Sequence, residues 1–211
     1  MKRKMQRFVT VSTAAALSLA MAVPGSAAYQ PEQKFQDVSR SASYYEDVMD
    51  ANYYGLMAGV SGKTFDTEST ITRAMWVTML YKMAGQPAVQ SKDTFTDVKT
   101  GDWFAQAATW AVEQGITAGY EDGSFGVNQT ITRQEAASML RNAFHLTGST
   151  GELFPDDSAI AGWAKENVYA VKHSGLMKGD ADTGNFRPTS SITRAEAASI
   201  MVNADRAGLI G

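Results

Sequence analysis

The sequence predicts a mainly α protein, a pseudo-threefold bundle of three helix-loop-helix repeats behind an N-terminal leader. Three observations carry that prediction. One pattern recurs at a step of about 60 residues, the mark of a repeat architecture, and it places Gly55, Gly115 and Gly175 in register with Arg73, Arg133 and Arg194. Within each unit, apolar residues recur at steps of three and four, the period of a single helix face. Helix punctuation falls at matching places, with glycine closing the first amphipathic stretch of each unit and threonine opening the second.

The leader comes first. Lys2, Arg3, Lys4 and Arg7 precede a largely apolar run from Phe8 to Val23, then Pro24, Gly25 and the small residues Ser26, Ala27 and Ala28. This is the order of a secretory signal peptide, with cleavage expected after Ala28. The apolar core is too short and too rich in Ala, Ser and Thr for a membrane span, and no second run of about 20 apolar residues follows. The expected organisation is therefore 1–28 signal peptide, 29–90 first repeat, 91–150 second repeat and 151–211 third repeat. The mature chain is expected outside the cytoplasmic membrane, secreted to the cell wall or cell surface.

Composition removes several classes of function. The leader takes four of the 19 basic residues and none of the 22 acids, leaving a mature net charge of −7. Such a chain lacks the general attraction for phosphate backbones that nucleic-acid binding needs. The chain has no Cys, which excludes disulfides, thiolate chemistry and Cys-type zinc sites. An apolar content of 44% with 10% aromatics suffices for a packed core.

Each unit opens on Phe-x-Asp, at Phe35, Phe95 and Phe154. Counting back from the repeat glycine, positions −11, −7 and −4 hold Tyr44, Val48 and Ala51, then Phe104, Ala108 and Ala111, then Ala164, Val168 and Val171. This stripe defines the first helix, and Leu56, Ile116 and Leu176 beyond the glycine are placed to fold back over its end. A second Phe (Phe65, Phe125, Phe186) leads into Ile-Thr-Arg. The second helix then follows, with Trp76, Val77, Leu80 and Met83 on its inner stripe in the first unit, where the second has Ala136, Ala137, Leu140 and Ala143 and the third Ala197, Ala198, Met201 and Ala204. Small residues permit close approach, and the bulkier first unit is expected to fill the remaining space. The units read as three helical hairpins, joined by the short polar linkers 86–94 and 148–152.

Thr132-Arg133-Gln134-Glu135 and Thr193-Arg194-Ala195-Glu196 fit a capping box. The box explains Thr and Glu but leaves Arg unexplained, because a cation at the first helical position opposes the helix dipole. One reading makes Arg73, Arg133 and Arg194, beside free helix amides, sites for carboxylate or phosphate groups. The other pairs each with an internal acid, Asp37, Asp97 or Asp156. Trp103 and Trp163, at equivalent places near the start of the first helix, are either core residues or platforms for sugar faces. The six phenylalanines read as core plugs.

The order Phe-x-Asp, Trp, Gly-[Ile/Leu], Gly, Phe, Ile-Thr-Arg-x-Glu resembles the S-layer homology repeat, in three copies from Phe35 to about Gly208. The resemblance implies grooves between adjacent repeats that bind a secondary cell-wall polysaccharide, commonly through a pyruvate ketal on a sugar. It carries binding roles onto Arg73, Arg133, Arg194, Trp103, Trp163, Asp37, Asp97 and Asp156. The alternative function is an envelope protein-protein interaction module without glycan affinity. The first unit departs most from the pattern, with Met75 in place of the box Glu and Ser43 in place of Trp. Asp157 stands where the other units have Val38 and Val98, and of the residues after the second Phe only Pro188 is proline, against Thr67 and Val127. Arg133 and Arg194 are therefore expected to dominate binding.

No enzyme is expected. His145 and His173 occupy non-equivalent places and share no metal-ligand spacing. Asp180-Ala181-Asp182-Thr183-Gly184 lacks the distant bidentate Glu of a calcium loop and reads as an acidic turn. No cofactor or metal is implied. The chain ends three residues past Gly208, and no cargo domain is expected within it.

Overall fold

The computed structural model describes residues 33–148 and 151–210. The expected signal peptide, 1–28, lies outside the described residues. Two α-helices form per repeat: α1 (Tyr45–Tyr53) and α2 (Arg73–Met83), α3 (Ala105–Glu113) and α4 (Arg133–Phe144), α5 (Lys165–His173) and α6 (Arg194–Arg206). Short 3-10 turns, Asp157–Ala159 and Gly162–Ala164, lead into α5. No β-sheet forms among the described residues.

The predicted punctuation holds. Gly55, Gly115 and Gly175 take φ of 72°, 67° and 75°, the left-handed turn that ends a helix at low steric cost only for glycine. The amides of Leu56, Ile116 and Leu176 then bond back to the carbonyls of Ala51, Ala111 and Val171 at 2.9, 2.8 and 3.0 Å, and their side chains are buried. Thr72, Thr132 and Thr193 cap the second helices, with complete capping boxes on α4 and α6. In α2, Met75 has no carboxylate to return the bond, and only the Thr72 half forms.

The helical hairpins do not form. The helices of one repeat are not partners: α3 packs on α2, α5 on α4, and α1 closes the circle on α6. The segment between the two helices of a repeat explains this, because it is a packed body rather than a tight turn. The first and second Phe rings of each unit meet at 5.2 Å between centroids, and all six rings are buried. The Asp of Phe-x-Asp fastens the same segment, as Asp37 accepts from the amides of Phe65 and Asp66, Asp97 from Phe125, Gly126 and Val127, and Asp156 from Phe186 and Arg187. Each helix therefore covers its apolar face against a neighbouring repeat.

At the centre the three Ile-Thr-Arg segments meet. The Ile71 amide donates to Ile192, Ile192 to Ile131 and Ile131 to Ile71, at 3.0, 3.0 and 3.2 Å. This closed cycle of backbone bonds is the structural counterpart of the threefold sequence repeat. Packing about it is uneven as expected, since α2 touches both α4 and α6 and the fully buried Trp76 stands where those helices carry Ala136 and Ala197.

Candidate functional site

The amides that open α2, α4 and α6 are not free. The first donates to a carbonyl of another repeat's loop: Arg73 to Gln129, Arg133 to Ser190 and Arg194 to Ser69, at 2.8, 2.9 and 2.8 Å. The second does likewise, Ala74 to Val127, Gln134 to Pro188 and Ala195 to Thr67. The third is held by the capping Thr. The expectation of an anion site on free helix amides is therefore corrected: interlocking of the repeats consumes those donors. It also explains how the residues after the second Phe can vary, because what Thr67, Val127 and Pro188 share in this contact is the backbone carbonyl.

The three guanidinium groups leave their own helices and enter the next repeat, which removes the conflict with the helix dipole. All are 5–6% exposed. Each lies over the second Phe of the repeat it enters: Arg73 over Phe125 at 5.2 Å, Arg133 over Phe186 at 4.9 Å and Arg194 over Phe65 at 4.7 Å. Two are fastened alike. Arg133 donates through Nε to the Phe186 carbonyl and through Nη2 to the Lys178 carbonyl, and Arg194 uses the same atoms on Phe65 and Ala58. Arg133 also forms an ion pair with Glu196 at 2.9 Å. Arg73 departs from this arrangement. Its Nη2 donates to the Thr117 hydroxyl, while its buried Nε has no partner.

The pairing of Arg with Asp37, Asp97 or Asp156 is not observed as contact. Those carboxylates are held by backbone amides, and the attraction of Arg194 for Asp37, Arg133 for Asp156 and Arg73 for Asp97 acts only through space. Burial works to raise the Asp97 pKa, yet the amides of Phe125, Val127 and Gly126 outweigh it and hold the group below its ordinary value. Burial lowers the pKa of all three arginines, with surrounding acidic groups acting against it. Arginine stays charged at any physiological pH.

Among the described residues, open grooves lie at two of the repeat junctions. The first, of about 710 Å³, is lined by Tyr44, Arg133, Asp180, Arg187, Glu196 and Arg206 among others. The second, of about 530 Å³, is lined by Arg73, Thr117, Tyr120, Glu135, Met139 and Trp163 among others. Each joins three repeats: an Arg from one, the loop and second helix of the next, and the helix-start aromatic of the third. Trp163 is 59% exposed and Trp103 66% exposed, so the platform reading of these residues has the surface it requires. Of the eight expected site residues, Arg133 lines the first groove and Arg73 and Trp163 the second. Arg194, Trp103, Asp37, Asp97 and Asp156 line neither.

Sequence reasoning missed Tyr120 and Arg187. Tyr120 donates to Glu135 Oε1 at 3.0 Å and lies under the Arg73 guanidinium at 4.9 Å. Arg187 pairs with Asp180 and Glu196 at 2.8 and 2.6 Å. In the repeat register Tyr120 matches Val60 and Asp180, and Arg187 matches Asp66 and Gly126, so no shared residue type marked either position. No group of three or more His, Asp or Glu that could hold a metal occurs among the described residues. No helix among them is long and apolar enough to cross a membrane.

A cyclic helical module with charged and aromatic clefts where its repeats join is, by class, a binding module. The chain belongs to the S-layer homology domain family, whose model matches residues 34–74, 94–137 and 153–198. It is 33% identical over 153 residues to the exoglucanase XynX of Acetivibrio thermocellus, covering 69% of this chain and 14% of that protein. It is 29% identical over 178 residues to the cellulosome-anchoring protein of the same species, covering 81% and 38%. With the surface-layer 125 kDa protein of Lysinibacillus sphaericus the identity is 33%, over 62% of this chain and 11% of that one. The chain matches 14%, 10% and 20% of the length of XynX, an amylopullulanase and an endoglucanase, each far longer than the shared repeats. Family and relatives make this a cell-surface protein whose repeats are an anchoring module.

Proposed function

We propose that this protein attaches noncovalently to the cell wall by taking acidic sugars of a secondary wall polysaccharide into the grooves between its repeats. A pyruvate ketal is the modification that suits them best. It places a carboxylate on a ring whose opposite face is free to stack, and the second groove offers a buried guanidinium with an exposed indole in the same cleft. That juxtaposition is the single observation carrying the reading. A guanidinium at the floor binds carboxylate through charge-assisted bonds, and an indole face accepts the C–H patch of a pyranose. Burial of the arginine keeps salt from screening the contact fully. The protein acts by binding and performs no chemistry on the glycan.

The test is sedimentation of the mature protein with isolated walls, before and after chemical removal of the secondary polymer. Binding is expected to fall to background on stripped walls. Undiminished binding would contradict the glycan reading and favour an envelope protein as partner.

A further inference from the structure

The two grooves differ in how far the protein satisfies its own arginine. In the first, every nitrogen of Arg133 has a partner: two carbonyls hold Nε and Nη2, and Glu196 holds Nη1 and neutralises the charge while also pairing with Arg187. The same groove carries Glu46, Asp47, Glu68 and Asp180 against Lys178, Arg187 and Arg206, and Asp180 and Asp47 are already paired with Arg187 and Arg206, so an incoming carboxylate must compete there with the protein's own acids. In the second groove Arg73 has forgone both carbonyl bonds of the common pattern, keeps one bond to Thr117, and leaves a nine-tenths buried Nε without a partner. Among the described residues it makes no ion pair. Glu135 is the only acid in that lining, and it is occupied: Oε2 accepts from the Thr132 amide and hydroxyl, and Oε1 from the Tyr120 hydroxyl.

We propose that the Arg73 groove is the tight site of this chain for a carboxylate-bearing sugar, and that Tyr120 keeps it available by holding Glu135 away from Arg73. This reverses the ranking expected from sequence, in which the first unit's departures made its groove the weakest. Met75 and Ser43 do depart, but Arg73 works in the cleft of the second and third repeats, where Glu135 and Trp163 are intact. Unspent buried donors cost free energy that a ligand recovers on binding. Tyr120 is a positioning residue in this scheme. Without its hydroxyl, Glu135 Oε1 loses its donor and turns to Arg73, the one cation in the same lining.

The inference rests on the acidic-glycan reading, and titration calorimetry with two probes separates their failures. The probes are a methyl hexoside bearing a pyruvate ketal and the same hexoside without it, added to the full mature chain. The ketal sugar is expected to bind and the plain sugar to bind at least ten-fold more weakly. Arg73→Ala should weaken the ketal sugar at least ten-fold and Arg73→Lys several-fold, and Arg133→Lys should weaken it less than Arg73→Lys does. Tyr120→Phe should weaken it about five-fold, and adding Glu135→Gln should restore affinity, because Gln keeps the capping box but cannot neutralise arginine. Thermal melts identify any variant that has unfolded, and Arg73→Lys then decides in place of Arg73→Ala. Equal affinity for both sugars, or none for either, would overturn the acidic-glycan reading and this inference with it. A ketal preference retained in Arg73→Lys but lost in a folded Arg133→Lys would overturn the inference alone. Failure of Glu135→Gln to rescue Tyr120→Phe would remove the positioning role of Tyr120.

Discussion

At the residue scale, the repeated arginine is legible in the sequence as an exception, because its charge opposes the dipole of the helix it begins. Its destination was not legible. No spacing within one repeat shows that a guanidinium crosses into another, and none distinguishes Arg73, with one hydrogen bond, from Arg194, with two carbonyls. That difference predicts a separation of stability from binding. Arg194→Met strands two carbonyl acceptors and should cost about 2 kcal/mol in urea unfolding, whereas Arg73→Met should cost clearly less while damaging ligand binding more. The acids make a second prediction. Asp97 has a folded-state pKa below its ordinary value of 3.8, so its contribution is complete above that value and lost as pH falls through the lower, folded one. Asp97→Asn should therefore be destabilised at neutral pH, with the deficit against wild type narrowing below about pH 4 in pH-dependent thermal melts.

At the scale of elements, the stops of α1, α3 and α5 and the starts of α2, α4 and α6 follow from short-range chemistry, which is why glycine, threonine and the 3-4 stripes located them. The pairing of helices did not follow, since an apolar face records that it is buried without recording against what. The short linkers between repeats pointed to touching neighbours, and α2 on α3 and α4 on α5 bear that out, but reading each repeat as a hairpin failed against the Phe pair and Asp clamp of the segment between its helices. The glycines separate two kinds of constraint. A Cβ on Gly115 would meet open space, so Gly115→Ala carries only the penalty of φ at 67°, about 1 kcal/mol. A Cβ on Gly119 would strike the Phe95 ring and the Ser124 carbonyl, and Gly119→Ala should cost several times more. Chemical denaturation of the two variants side by side reads the difference.

For the whole molecule, closure is the consequence of exchanging partners around a circle. Since α1 needs α6 and α4 needs α5, no subset of repeats contains its own core. A fragment of residues 33–148 should show little helical circular dichroism and no cooperative melt, whereas the full mature chain should unfold in one transition. An independently folding fragment would contradict the interlocked account. The same exchange makes the grooves, because each draws residues from three repeats, and the sequence pattern ranked the sites by departures within each unit without showing that each groove arginine works in the cleft of the other two. The most direct measurement follows the four tryptophan indole N–H resonances of the mature protein as isolated wall polysaccharide is added. Trp163 lies exposed in the second groove, while Trp76 and Trp110 are buried in the core. Saturable displacement of the Trp163 resonance, with Trp76 and Trp110 unmoved, is the predicted result. Saturable binding that leaves both Trp163 and Trp103 unmoved would contradict it.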